Sequence, residues 1–335
     1  MHRNTADGRL SRRGVLALGL TIVPVVAGCS SSPAIEGASR VTPSPEPPPP
    51  PLPGLDAGLA AESTALAWCD AISAKGYELS AGLTANLPGI TEVHRRHLLA
   101  LQLPDPPARP TGTPSAGLDP QAGSVDLGSD DARKAATRMA AAFGEVAATH
   151  RGAAVAAEGA AARFWASLAA AAAQSQRLVP RTHAHPRLAE EKPHAPLEVP
   201  EPAAALGELL VQTHALVYGC QVALTGVSGK AAESTVARLD SARRLRDDVT
   251  DALRVLDADV PAAAGAYEVE VPTDDGGTRT LVRSMENALL PYVGAAISAV
   301  SDQALRTRLV DALIERTRVG IDLGGRPLRW PGLPG

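Results

Sequence analysis

Residues 132–150 read ARKAATRMAAAFGEVAATH and residues 153–178 read AAVAAEGAAARFWASLAAAAAQSQRL. Ala132, Ala136, Met139, Phe143 and Val146 recur at three- and four-residue steps, and Val155, Ala162, Trp165 and Leu168 do so again. That is the period of one helix face, not of a strand. Alanine is the strongest helix former, and its small side chain lets neighbouring helices approach closely. The stretch predicts two helices: one capped by Ser129 or Asp130 and broken at Gly152, the next ending near Val179-Pro180.

Two more helices precede this pair. Asp56 stands as an N-cap for a helix to about Ala81, with Leu55, Leu59, Leu66, Cys69 and Ile72 on its apolar stripe. A break is expected from Gly82 to Gly89, then a helix from about Ile90 to Leu103, ended by the prolines of a long connection over 104–128. The later chain repeats the plan, with helices over about 202–226, 230–257 and 279–300. Asp302 caps a fourth, which ends near Gly320. Residues 259–278 form the crossover, within which Tyr267 to Val271 alternate and are expected to be briefly extended. Each half reads helix, turn, helix, crossover, helix, turn, helix. One long crossover is the connectivity of ferritin-like bundles. The expected fold class is all-α: two tandem ferritin-like four-helix bundles, over 55–179 and 202–335, joined by a linker over 180–201. Five prolines with His183, His185 and His194 mark that linker as solvated chain.

Ahead of the bundles, Ser11-Arg12-Arg13-Gly14 precedes an apolar run from Val15 to Ala27 and then Gly28-Cys29. At about 13 residues the run is well short of the roughly 20 that span a bilayer. The pattern resembles a bacterial lipoprotein lipobox behind a twin-arginine export signal. The resemblance implies cleavage after residue 28, a lipid on Cys29 and anchoring to the outer face of the cytoplasmic membrane. Residues 29–54, with Pro47 through Pro51 unbroken, then read as an extended stalk.

Composition narrows the function. Loss of Arg3, Arg9, Arg12, Arg13 and Asp7 with the leader takes the formal charge from −4 to −7, and no basic stripe stands out, so nucleic acid is not an expected partner. Aromatic content is 3%, too little for platforms that stack bases or sugars. No Gly-x-Ser-x-Gly elbow, Gly-x-Gly-x-x-Gly or P-loop pattern is present. With Cys29 assigned to lipid, Cys69 and Cys220 remain. They read as buried free thiols, with a disulfide as the alternative that sequence cannot decide, because it does not fix the Cα separation.

In the second half, Leu209-Leu210-Val211-Gln212-Thr213-His214-Ala215-Leu216-Val217-Tyr218-Gly219 resembles the opening helix of a ferritin-like domain family of unknown function found in Ala-rich actinobacterial exported proteins. Arg243-Arg244-Leu245-Arg246-Asp247, Pro261 to Tyr267 and Pro331-Gly332-Leu333 extend the likeness over about 203–334. The first half, with His94-Arg95-Arg96-His97, is similar to the region that precedes that domain. The resemblance implies fold and location and brings no activity.

A di-iron centre needs Glu-x-x-His on two helices. Neither half contains it, and no histidine follows His214. Glu286 instead lies on a stripe with Val282, Leu289 and Val293, and Arg316 on one with Leu309, Leu313 and Val319, at one bundle level. The two are expected to form a partly buried pair where relatives hold metal. The first half offers a sharper set. Glu62 falls between Leu59 and Leu66, His97 between Ile90 and Leu101, His150 after Phe143 and Val146, and Glu158 between Val155 and Ala162. All four come within about two turns of one bundle end. Two histidines and two glutamates suit zinc or iron. The bland alternative is a hydrogen-bonded cluster or exposed end residues. The sequence therefore supports an exported, membrane-anchored helical protein with no assigned cofactor and a non-catalytic binding or scaffolding role toward an envelope partner. The alternative is a bundle that binds zinc or iron in an oxidase-like or storage role.

Overall fold

A computed structural model of the chain describes residues 52–103, 105–107, 123–182, 188 and 197–334. The leader, Cys29, nearly all of the stalk, and His183, His185 and His194 lie outside the described residues. Among those described there are eight helices and no strand: α1 Leu55–Lys75, α2 Ala81–Leu101, α3 Ala132–Ala156, α4 Gly159–Leu178, α5 Pro202–Leu224, α6 Gly229–Val255, α7 Asp275–Ala299 and α8 Gln303–Asp322. Tyr267 to Val271, expected to be extended, is irregular.

Helix starts follow side-chain capping. Ser80, Asp131, Glu201, Asp274 and Asp302 each accept a hydrogen bond from the N–H three residues on, which satisfies one of the orphan donors of α2, α3, α5, α7 and α8. Two expected breaks are corrected. Gly82 to Gly89 is helix, because α2 begins at Ala81, at its Ser80 cap, more than two turns before the expected start at Ile90. Gly82 is there for close approach: a Cβ on it would stand 2.0 Å from the Arg181 carbonyl oxygen. Gly152 does not interrupt α3. The chain turns instead at Ala157 and Glu158, both extended, followed by Gly159 at φ +57°.

Helices α1 to α4 pack as one quartet and α5 to α8 as another. The quartets join through α4, which also packs against α7 and α8, and through α3 against α8. From Ala162 to Ser175 every residue of α4 is buried. A helix apolar all round needs cover on all sides, and the alanine run supplies little bulk to keep neighbours apart. One hydrophobic core runs from Leu52 to Leu333, and residues 49–335 form a single compact unit. Arg306 adds a polar fastening. Its buried guanidinium donates to the carbonyls of Val300 and Ser301 after α7 and of Val155 and Ala157 at the end of α3, at 2.6–3.3 Å.

A close approach brings Gly58 of α1 against Trp165 of α4. A Cβ on Gly58 would fall 2.3 and 2.6 Å from two ring carbons of Trp165. Gly58→Ala gains helix propensity of about 1 kcal/mol, but it drives a methyl into a rigid indole. A net loss of about 1–3 kcal/mol is expected in urea unfolding, and a variant as stable as the parent would contradict this packing.

Candidate metal centre

The first quartet turns four polar side chains into its core. Glu62 comes from α1, His94 and His97 from α2, and His150 from α3; each is 0% exposed. Three imidazoles converge on one carboxylate. His94 Nδ1 lies 2.7 Å from Glu62 Oε2, while His97 Nδ1 and His150 Nε2 lie 3.2 and 2.8 Å from Oε1. His94 and His97 stand three residues apart on one face of α2, as helix geometry requires of neighbours. Aromatic rings wall the cluster. Phe143 stacks on His94 at 4.9 Å, Trp165 on His150 at 5.4 Å, and Trp330 packs on His97 at 4.7 Å. Phe164 touches both tryptophans. The chain has two phenylalanines and three tryptophans, and both phenylalanines and two of the tryptophans stand here.

The outer nitrogens decide what the inner ones can be. His97 Nε2 sits 2.8 Å from the Arg329 carbonyl oxygen, which can only accept, so Nε2 carries a proton. His94 Nε2 sits 3.2 Å from Ser175 Oγ, which also meets the Ala171 carbonyl. Ser175 Oγ either accepts from His94 Nε2 or donates to it, and in the second case His94 Nδ1–H donates to Glu62 Oε2 at 2.7 Å. For His97 the outer donor leaves Nδ1 of a neutral ring as a bare lone pair facing the Glu62 carboxylate at 3.2 Å; in the first tautomer His94 does the same. Such an arrangement repels unless positive charge lies between. Two imidazolium rings would supply it, but their centroids are only 6.0 Å apart and both are buried. A single divalent ion held by Glu62, His94 and His97 would supply the same charge.

Burial is the largest influence on the Glu62 carboxyl and raises it, yet the charges of His94 and His97 and the hydrogen bonds of His150 and His94 together hold it well below the ordinary carboxylate range. That describes the hydrogen-bonded form of the cluster, in which His94 Nδ1 carries the proton that an ion would displace. Burial lowers His150, and the Glu62 carboxylate works against that.

The donor set fits a metal. One ligand atom from each of Glu62, His94 and His97 lies within 4.8 Å of the others. A tetrahedral zinc with bonds of about 2.0–2.1 Å holds its ligands roughly 3.3 Å apart. Acceptors on the outer nitrogens of ligating histidines are the usual means of fixing ring and tautomer; Ser175 and the Arg329 carbonyl occupy that position here.

Of the four residues named from sequence, Glu62, His97 and His150 are brought together and Glu158 is not. Glu158 lies at the turn between α3 and α4, with its side chain 78% exposed and 3.7 Å from Arg306. The stripe on which it was counted crosses the break and so has no meaning there. His94 was missed as a ligand candidate, although its spacing from His97 was the available signal. Glu286 and Arg316 meet at 2.6 Å with side chains 1% and 2% exposed, and Arg316 Nε has no partner. Glu315 of α8 pairs with Arg238 and Ser241 instead. Cys69 and Cys220 are free and buried in different quartets. Burial pushes each thiol up to about 12, so neither is a ready nucleophile.

Residues 205–335 match a domain of unknown function, DUF4439. No curated protein and no solved structure matches the chain. The match begins within α5, so the four converging side chains lie outside it, while Arg329 and Trp330 lie inside it.

Proposed function

We propose that this chain is an exported, lipid-anchored envelope protein whose first quartet holds one buried divalent cation in a structural, non-catalytic role. The two quartets are ferritin-like bundles on this reading, the second having given up metal for the Glu286–Arg316 pair. The observation that carries it is the convergence of buried imidazoles on one buried carboxylate, with His97 Nε2 held as a donor by the Arg329 carbonyl so that its bare Nδ1 faces Glu62. Two nitrogens and one carboxylate oxygen, from His94, His97 and Glu62, suit zinc, and a site walled on all sides has the closed character of structural zinc sites. A rigid metal-pinned body on a Pro-rich stalk is suited to presenting a surface to an envelope partner.

The twin arginines, the short apolar run and Cys29 support the anchor. No helix among the described residues is long and apolar enough to cross a membrane, so attachment would rest on lipid. Stable attachment needs two signals, such as two acyl chains on the same cysteine. Elemental analysis of protein prepared without chelator is expected to give one zinc per chain, with mass spectrometry placing diacylglyceryl on Cys29. Substoichiometric zinc together with substoichiometric iron would dispose of the metal, and an unmodified residue 29 would dispose of the anchor.

A further inference from the structure

We propose that the C-terminal tail, residues 323–334, is the removable wall of the metal centre: the ion enters and leaves when this tail lifts, and a bound ion holds the tail down. The inference rests on the metal reading above.

Three aromatic walls enclose the cluster, and they are fixed in different ways. Phe143 belongs to α3, and Trp165 with Phe164 to α4, each embedded in helix packing on several sides. Trp165 is further tied by its indole N–H to the Pro53 carbonyl at 3.0 Å. Moving any of these rings means moving a helix. Trp330 is carried by irregular chain after α8 and is buried only because the tail lies back across the first quartet.

The tail is held by burial of Trp330 and Leu333 in the core and by side-chain bonds from the helices beneath it. The Gln174 amide pairs with Leu328 in both directions, donating to its carbonyl and accepting from its N–H, each at 2.9 Å. Arg163 Nε donates to the Gly332 carbonyl at 3.0 Å. That guanidinium is buried among backbone carbonyls, and burial lowers it to about 10. Gly294 lets the tail sit down, since a Cβ there would be 2.0 Å from the Gly332 carbonyl oxygen. The Arg329 carbonyl then orients His97 directly. Irregular chain at a terminus opens locally at lower cost than packed helices do.

The tail is therefore both wall and ligand-orienter. Lifting it uncovers the ring of His97 and removes the acceptor that keeps its Nδ1 bare. Coupling of this kind is reciprocal: if the docked tail favours the ion, the ion favours the docked tail by the same factor. The centre built by residues before the matched domain is then completed by the end of that domain, which makes the two quartets interdependent.

Two measurements test this on the whole chain. In the first, the zinc-loaded protein is mixed with a chromogenic chelator and the rate of zinc transfer is followed. Gln174→Leu loses both bonds to Leu328 and touches no ligand; it is expected to bind one zinc and release it about tenfold faster, as the loss of two hydrogen bonds from the docked state alone implies. Release at the parent rate with the same stoichiometry overturns the tail's role. In the second, which needs no variant to fold, hydrogen exchange at the Leu328 and Leu333 amides is compared with and without zinc. Slowing on zinc addition is expected, and equal exchange overturns the coupling. A parent chain that takes up no zinc overturns the metal reading itself, an outcome distinct from either failure of the tail.

Discussion

Glu62→Gln is expected to abolish zinc binding and to remove the stabilisation that zinc gives the parent chain. An ion that binds only the folded state contributes about 4.1 kcal/mol when present at 1,000 times its dissociation constant. At roughly 2–4 °C per kcal/mol for a chain of this order of size, chelation should lower the parent melting temperature by about 8–16 °C. The substitution should produce the same fall and make melting insensitive to added zinc. It replaces an anion that receives three imidazoles with an amide that has one acceptor oxygen and two donors. A calorimetric scan of parent and variant, each with zinc and with chelator, separates this from ordinary core damage. Core damage alone lowers both of the variant's curves and keeps the zinc-dependent gap between them; loss of the ion leaves the variant's two curves superimposed while the parent's separate. A parent whose melting ignores chelator would count against the centre.

The second large effect lies in the other quartet. Arg316→Met leaves the Glu286 carboxylate buried without its 2.6 Å partner, and a buried charge stranded in this way costs about 3–5 kcal/mol. Glu286→Met should cost a similar amount by stranding the guanidinium. The double variant removes both charges and puts flexible apolar chains in a core that already holds Leu289, Val293, Leu309 and Leu313. Buried pairs replaced in this way are often neutral or more stable by about 1–4 kcal/mol. Urea unfolding of the two single variants and the double variant is therefore expected to show strong non-additivity. Additive losses would mean that the two groups do not depend on each other, against the geometry observed.

These expectations differ in how far the sequence alone leads to them. The eight helices were legible because Ala-rich three- and four-residue periodicity dominates the chain, and Asp302 marked the start of α8 as read. Helix α2 was misplaced because Gly82 and Gly89 look like a break, and sequence does not tell a glycine kept for φ freedom from one kept for close approach. At Gly82 the reason is the Arg181 backbone. His94 was passed over for a different reason: it lies on the expected stripe Ile90, His94, His97, Leu101, but the trace took only one histidine from it. Glu158 failed for the opposite reason: a stripe was carried across a turn at Ala157 and Glu158 that only the backbone reveals. Glu62, His97 and His150 were found because a charged or titratable side chain on an apolar stripe is anomalous wherever the helix is correctly placed. Ser175 and the Arg329 carbonyl were out of reach. A backbone carbonyl 232 residues from the histidine it orients leaves no mark in sequence, and a serine inside an alanine run reads as one more small residue.

Diffraction data collected at the zinc absorption edge from crystals of zinc-loaded protein test the central claim most directly. One anomalous peak per chain is expected, lying between the Glu62 carboxylate and the inner nitrogens of His94 and His97, with Trp330 closed over it. No peak at that position, or zinc found only at surface groups such as His214, would contradict the account.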